Sequence, residues 1–248
     1  MASISKYALR FQNRVLAFEE DIELVDILCN AQKKHKLLPA DGKLFEFIDS
    51  QKHTALGARK VTDASQRIVV THLRSTVYAS YIKDIYEELT AYLKSLLYEA
   101  AVLSKEENKA KRLLGEHKVS FSAAEILQYR DLDELIIKIS EEIIQALENE
   151  RSTKELISKI CKKIDLPIET KKINDALPYL ELRHKFVHAD GKIDSKFKSS
   201  YPMFKYDADD YIKLNAQVIY NAKKYISELV LAIDAVAVEK GILKPNTP

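Results

Sequence analysis

An arginine and two histidines fall within six residues of one another in YLELRHKFVHADGK, the stretch from Tyr179 to Lys192. Arg183 offers a planar fork of donors that can grip a phosphate through two hydrogen bonds. His184 and His188 are side chains that give and take protons near neutral pH. Together these groups supply what transesterification or hydrolysis at phosphorus needs without a metal, namely charge stabilisation and proton transfer. Residues five apart lie roughly 140° apart on a helix of about 3.6 residues per turn, so Arg183 and His188 do not share one face. They converge on one phosphate only if the helix end frays or a second copy of the chain contributes. His184 and His188, four apart, do share a face and could begin a zinc site. H-K-F-V-H lacks a third ligand and the glutamate of H-E-x-x-H, so no metal and no cofactor is assigned. Lys185 and Lys192 flank the motif and are placed to hold neighbouring phosphates. The plain alternative is that these cations serve the dipole and the last carbonyls of a helix.

The interval alone is weak evidence, because Arg67 to His72 (RIVVTH) and Arg112 to His117 (RLLGEH) repeat it. Context separates the three. The first sits near the start of a long apolar helix, and the second holds Gly115 within a charged linker. Only RHKFVH has a polar residue directly after the arginine and precedes a glycine-bearing turn at a helix end.

The elements that must position this motif are helical. From about Ser5 to Lys36, Leu9, Val15, Leu16, Phe18, Ile22, Leu24, Val25 and Leu28 recur at helical spacings. Pro39 and Asp41-Gly42 break the run, a short helix is expected over Lys43 to Ser50, and a polar segment marks a boundary near residue 60. From Asp63 to Ser104 a spacing of three or four persists through Val69, Leu73, Val77, Tyr81, Ile85, Leu89, Tyr92, Leu96, Ala100 and Leu103, which predicts one long helix. Ser122 to Glu125 and Ser152 to Glu155 each read as a capping box, and Leu132 to Leu147 as an amphipathic helix between them. Pro178 places the start of the motif helix near Asp175, and Gly191 its end. A polar loop with Ser199, Ser200 and Pro202 follows, then a last helix from about Asp209 to Lys240 whose packing face includes Ile212, Ile226, Leu229 and Ile233. Tyr201, Phe204, Tyr206 and Tyr211 either stack on bases or anchor their loop to the core, and the second reading is preferred.

Composition agrees with an all-α protein. Five glycines and six prolines in 248 residues leave little material for hairpins, and 46 % apolar with 31 % charged residues suits a globular chain with a sizeable core. A formal charge of +2 excludes a strongly basic molecule, so any nucleic-acid contact is local. Cys29 and Cys161 form no C-x-x-C pair, which suits a reducing cytosol. The first 21 residues carry charges throughout, and no later run approaches about 20 uncharged residues, so neither secretion nor a membrane span is expected, and the localisation read is cytoplasmic. No Walker loop, Rossmann glycine pattern or Ser or Cys triad is present.

With LELRHKFVHADG and this order of helices on the page, the chain resembles the HEPN superfamily, whose ribonuclease motif is an arginine, four to six residues, then a histidine. The pattern maps onto Arg183, His184 and His188, and the resemblance covers about Asp63 to Lys240. It implies a HEPN-like helical bundle with a long first helix over 61–248, preceded by an N-terminal helical extension over 1–60. It also implies a metal-independent endoribonuclease that cleaves RNA as a homodimer, of the kind found in phage defence, stress responses and toxin–antitoxin pairs. Arg183 and His188 are then catalytic and His184 orients the site or contacts RNA, with the flanking Lys185 and Lys192 as the candidate substrate contacts named above. An inhibitor or regulatory protein partner is expected, since a free ribonuclease endangers its host. The rival reading is a non-catalytic helical adaptor, an RNA-binding or dimerisation module that keeps the fold.

Overall fold

A computed structural model of the chain describes residues 4–33, 49, 51–58, 62–106, 119–148 and 153–246. Its elements are α1 (Lys6–Lys33), α2 (Thr54–Gly57), α3 (Asp63–Glu106), α4 (Ala123–Ile126), α5 (Leu132–Glu148), α6 (Thr153–Lys163), α7 (Thr170–His188), α8 (Ser195–Ser200) and α9 (Ala216–Glu239). Extended pairing among the described residues is confined to isolated bridges, Ser5 with Pro245, Lys192 with Tyr211 and Tyr206 with Ile212. The fold is all-α, as the composition predicts. No described helix is long and apolar enough to cross a membrane.

Helix α3 is the mast. Its 44 residues span ~66 Å at ~1.5 Å per residue, and no proline interrupts them. Tyr81, Ile82, Ile85, Leu89, Leu93 and Leu96, all buried, form a continuous stripe against which α1, α7 and α9 pack. The predicted stripe extends too far at the N-terminal end: Leu73 is half exposed, while Gln66 and Val70 are buried and contact α1 through Gln32 and Cys29. Ala8, Phe11, Val15 and Ile22 of α1 belong to the same core as the residues of α3, α7 and α9. The expected helix over Lys43 to Ser50 lies outside the described residues apart from Asp49, as do Ser152 of the second capping box and the Arg112 to His117 repeat. The first capping box is present in both directions: the Ser122 side chain accepts from the Glu125 amide and the Glu125 side chain accepts from the Ser122 amide.

Two boundaries differ from expectation. Helix α7 begins at Thr170 rather than near Asp175 and carries Pro178 inside it. A proline there removes one hydrogen bond and costs about 3 kcal/mol in an isolated helix. The earlier turns bury Ile173 and Ala176, and Pro178 is itself buried, so packing offsets the lost bond. The last helix begins at Ala216, not Asp209, because the Asn215 side chain accepts the Val218 amide as an N-cap at 3.0 Å. The preceding residues are instead held in a turn: Asp210 has φ +70°, and Tyr206, Tyr211 and Ile212 form backbone bridges. Ile212 therefore packs from that turn and not from α9. Part of the expected polar loop is the short helix α8, capped by Asp194.

One polar node fastens three helices. Asp234 of α9 has no exposed surface, and its carboxyl accepts the Ser5 amide at 2.8 Å, the Ser5 hydroxyl at 2.5 Å and the Tyr92 hydroxyl at 3.2 Å. Burial, and then the neighbouring Asp234, push the Tyr92 phenol up, which keeps it a donor. The Ser5 hydroxyl in turn accepts the Ala8 amide at 3.2 Å and so caps α1. Removing the carboxyl strands buried donors on two other elements, so Asp234→Ala is expected to lower unfolding free energy by about 2–4 kcal/mol in urea titration, and Tyr92→Phe by less. A loss within about 0.5 kcal/mol for Asp234→Ala contradicts this role.

Candidate functional site

The motif occupies the last two turns of α7. Tyr179, Leu180 and Leu182 are buried and fix the helix against the core, which directs the next side chains toward α3. The Arg183 guanidinium lies over the Tyr86 ring, 4.7 Å from its centroid, and its Nη2 donates to Glu87 Oε1 at 3.2 Å. The Arg183 side chain is 23 % exposed and that of Glu87 60 %, so the pair sits at a surface edge. Arg183 Nε is buried with no hydrogen-bond partner. The His184 ring meets the same Tyr86 edge-on at 6.4 Å and stacks on His188 at 5.8 Å with 22° between planes. Arg183 and His188 are thus linked through Tyr86 and His184. The exposed ring of His188 closes the series at the last residue of the helix.

The turn behind the motif has a specific local cause. The amides of Ala189 and Gly191 both donate to the Lys185 carbonyl, at 3.1 and 2.9 Å. Asp190 already has φ +50° and Gly191 follows at +84°, so the left-handed conformation expected of the glycine is shared by two residues. A Cβ at Gly191 would stand 2.9 Å from Phe186 Cε1, which leaves glycine the residue that fits without displacement.

The two lysines differ. Lys185 Nζ bonds Asp194 Oδ2 at 2.6 Å and lies over Phe197, while Asp194 also caps α8 through the Phe197 amide at 2.7 Å. Lys185 thereby ties the motif helix to α8, and its bond holds the Asp194 carboxyl below the usual range. Lys192 is exposed, and its backbone pairs with Tyr211. Phe204 is buried and stacks on Phe197, Tyr201 packs edge-on against both, and the Tyr206 hydroxyl donates to the Tyr201 carbonyl. These aromatics anchor their loop. Tyr211 is 38 % exposed.

Tyr86 and Glu87 are the partners the sequence did not point to. They lie almost a hundred positions before the motif, where Tyr86 reads as one more core aromatic and Glu87 as one more surface charge. The repeat at Arg67 and His72 is exposed on the first turns of α3. Among the described residues no group of three or more His, Cys, Asp or Glu side chains is placed to hold a metal ion. A cavity of about 200 Å³ opens between α1, α3 and α5 beside Tyr7, Lys94, Tyr98 and Glu141, and none of the motif residues lines it.

No known protein family, curated protein or solved structure matches this chain. The functional reading therefore rests on the chemistry of the α7 end and on the resemblance of its motif.

Burial first, then the positive charge of Arg183, hold the His184 imidazole below its ordinary value of 6.5, against an opposing pull from Glu181. The folded chain then binds this proton less readily than the unfolded chain, so stability is full above 6.5 and is lost as pH falls toward the lowered folded value. Between about pH 7.5 and about pH 5, wild type is expected to lose stability relative to His184→Gln in urea titrations. A difference that does not change with pH, or that changes in the opposite sense, contradicts the assigned environment.

Proposed function

We propose that the protein is a metal-independent endoribonuclease of the HEPN type, cleaving RNA at a composite site formed by two copies of α7 around a two-fold axis. The observation that carries this reading is the series Arg183, His184 and His188 at an exposed helix end, with the guanidinium seated on Tyr86 and the two imidazoles stacked. In the reaction the RNA 2′-oxygen bonds to phosphorus as its proton passes to one imidazole. The bond from phosphorus to the 5′-oxygen breaks as a second imidazole supplies a proton, leaving a 2′,3′-cyclic phosphate and a 5′-hydroxyl. One His188 per chain serves one of these steps, and a second copy's His188 serves the other. Arg183 binds the phosphate and stabilises its developing charge. Glu87 is exposed, and surface pairs of this kind contribute little, so a phosphate can take its place on the guanidinium. His184 orients His188, and Lys185 and Lys192 extend the contact along the backbone. A cytoplasmic role in defence, stress or toxin–antitoxin biology, with an inhibitor or regulatory protein holding the activity in check, follows from the same resemblance.

A specific observation favours the second reading, a non-catalytic helical adaptor. Arg183 already has a ring and a carboxylate as partners, which gives it a packing role without any substrate.

Purified protein incubated in excess EDTA with a mixed pool of structured and single-stranded RNA separates the two. The ribonuclease reading expects cutting by wild type with 2′,3′-cyclic ends, and a rate lower by at least about 10²-fold for His188→Ala. No cutting, or equal cutting by both proteins, gives the adaptor reading the lead.

A further inference from the structure

Helix α1 is apolar on two opposite faces. Ala8, Phe11, Val15 and Ile22 enter the core. On the outer side Leu24 is 56 % exposed, Ile27 64 % and Leu28 44 %, neighbours at spacings of three and four, and Leu16, 51 % exposed, lies about two turns earlier on the same side with Glu20 between. A helix that needs only to cover a bundle carries polar residues there. Isolated exposed leucines call for no explanation, but Leu24, Ile27 and Leu28 on adjoining turns form a contiguous patch of the kind that marks an interaction surface.

Charge selects what covers it. Glu20, Asp21 and Glu23 are exposed on the turns between Leu16 and that patch, in contrast to Glu19, which pairs with Lys223 of α9. A second copy of this chain is a poor occupant. Antiparallel pairing about the middle of the span from Leu16 to Leu28 sets these three acidic residues against themselves, and parallel pairing does the same at equal height. A helix with apolar residues at three- and four-residue spacing and lysines or arginines beside them meets both features at once, its apolar seam on Leu24, Ile27 and Leu28 and its cations on Glu20, Asp21 and Glu23.

We propose that the outer face of α1 is a docking surface for a cationic amphipathic helix of a partner protein. The surface is independent of the α7 motif, and its test does not read cleavage.

The probe is a fluorescein-labelled helical peptide of about 20 leucine and lysine residues with leucine at that spacing, titrated with the full chain and read by anisotropy. The control peptide carries glutamate in place of every lysine. Saturable binding of the lysine peptide with a Kd near or below about 10 µM is expected, with at least about tenfold weaker binding of the glutamate peptide and of the lysine peptide to Leu24→Ser/Ile27→Ser. Because both substituted residues are exposed, the variant is expected to keep the wild-type Tm. Equal binding by the variant, or preference for the glutamate peptide, overturns the proposal. A drop of several degrees in the variant's Tm also overturns it, since the patch is then already covered within the chain. So does a wild-type dimer in sedimentation that the variant loses, which makes a second copy the occupant.

Discussion

A carboxyl group without exposed surface, Asp234, accepts hydrogen bonds from the residue that caps α1 and from a tyrosine in the middle of α3. Such a group is costly to bury unless every partner is in place, so it ties α1, α3 and α9 at one height along the mast. The apolar stripes of these helices would tolerate sliding by a turn, since leucine and isoleucine pack on many similar neighbours. The carboxyl does not tolerate it. The antiparallel bridge between Ser5 and Pro245, with the Asn246 amide donating to the Ile4 carbonyl at 2.7 Å, closes the two ends of the described chain over the same node.

The height fixed in this way matters for chemistry because α7 reads its position from α3 and α9. Ile173, Ala176, Leu180 and Leu182 bury one side of α7, and Lys172 reaches Glu228 of α9 at 2.9 Å. With that register Arg183 and His184 both meet Tyr86, and a shift of one turn in either helix would separate them. A guanidinium on an aromatic face gains an attraction that does not use up its hydrogen-bonding edge. That is how a partly buried arginine can be held in place and still offer donors to a phosphate.

Much of the architecture was legible because it depends on local rules. The long helix was expected over Asp63 to Ser104 and runs to Glu106, the amphipathic helix after Leu132 ends one residue beyond its expected limit, and the Ser122 capping box has both of its bonds. The failures have non-local causes. Pro178 stays inside α7 because burial of Ile173 and Ala176 outweighs a missing hydrogen bond, and burial is a property of neighbours distant in sequence. The start of α9 differs from expectation because Ile212 fits the period of the helix yet pairs with Tyr206. At the site, the cationic residues were readable from their types and spacing, and the aromatic seat beneath them was not. Tyr86 reads as one more buried aromatic of α3, and its meeting with His184 is a fact of tertiary packing.

We propose a reactive centre shared by two chains, each giving one proton-transferring histidine. Co-assembling wild type with His188→Ala at a series of ratios, and measuring RNA cleavage in EDTA at constant total protein, tests it directly. A shared centre predicts activity that follows the square of the wild-type fraction, about one quarter at equal parts, because only pairs of intact chains carry both histidines. Activity that falls in direct proportion, to about one half at equal parts, would contradict a shared centre and assign complete catalysis to each chain alone.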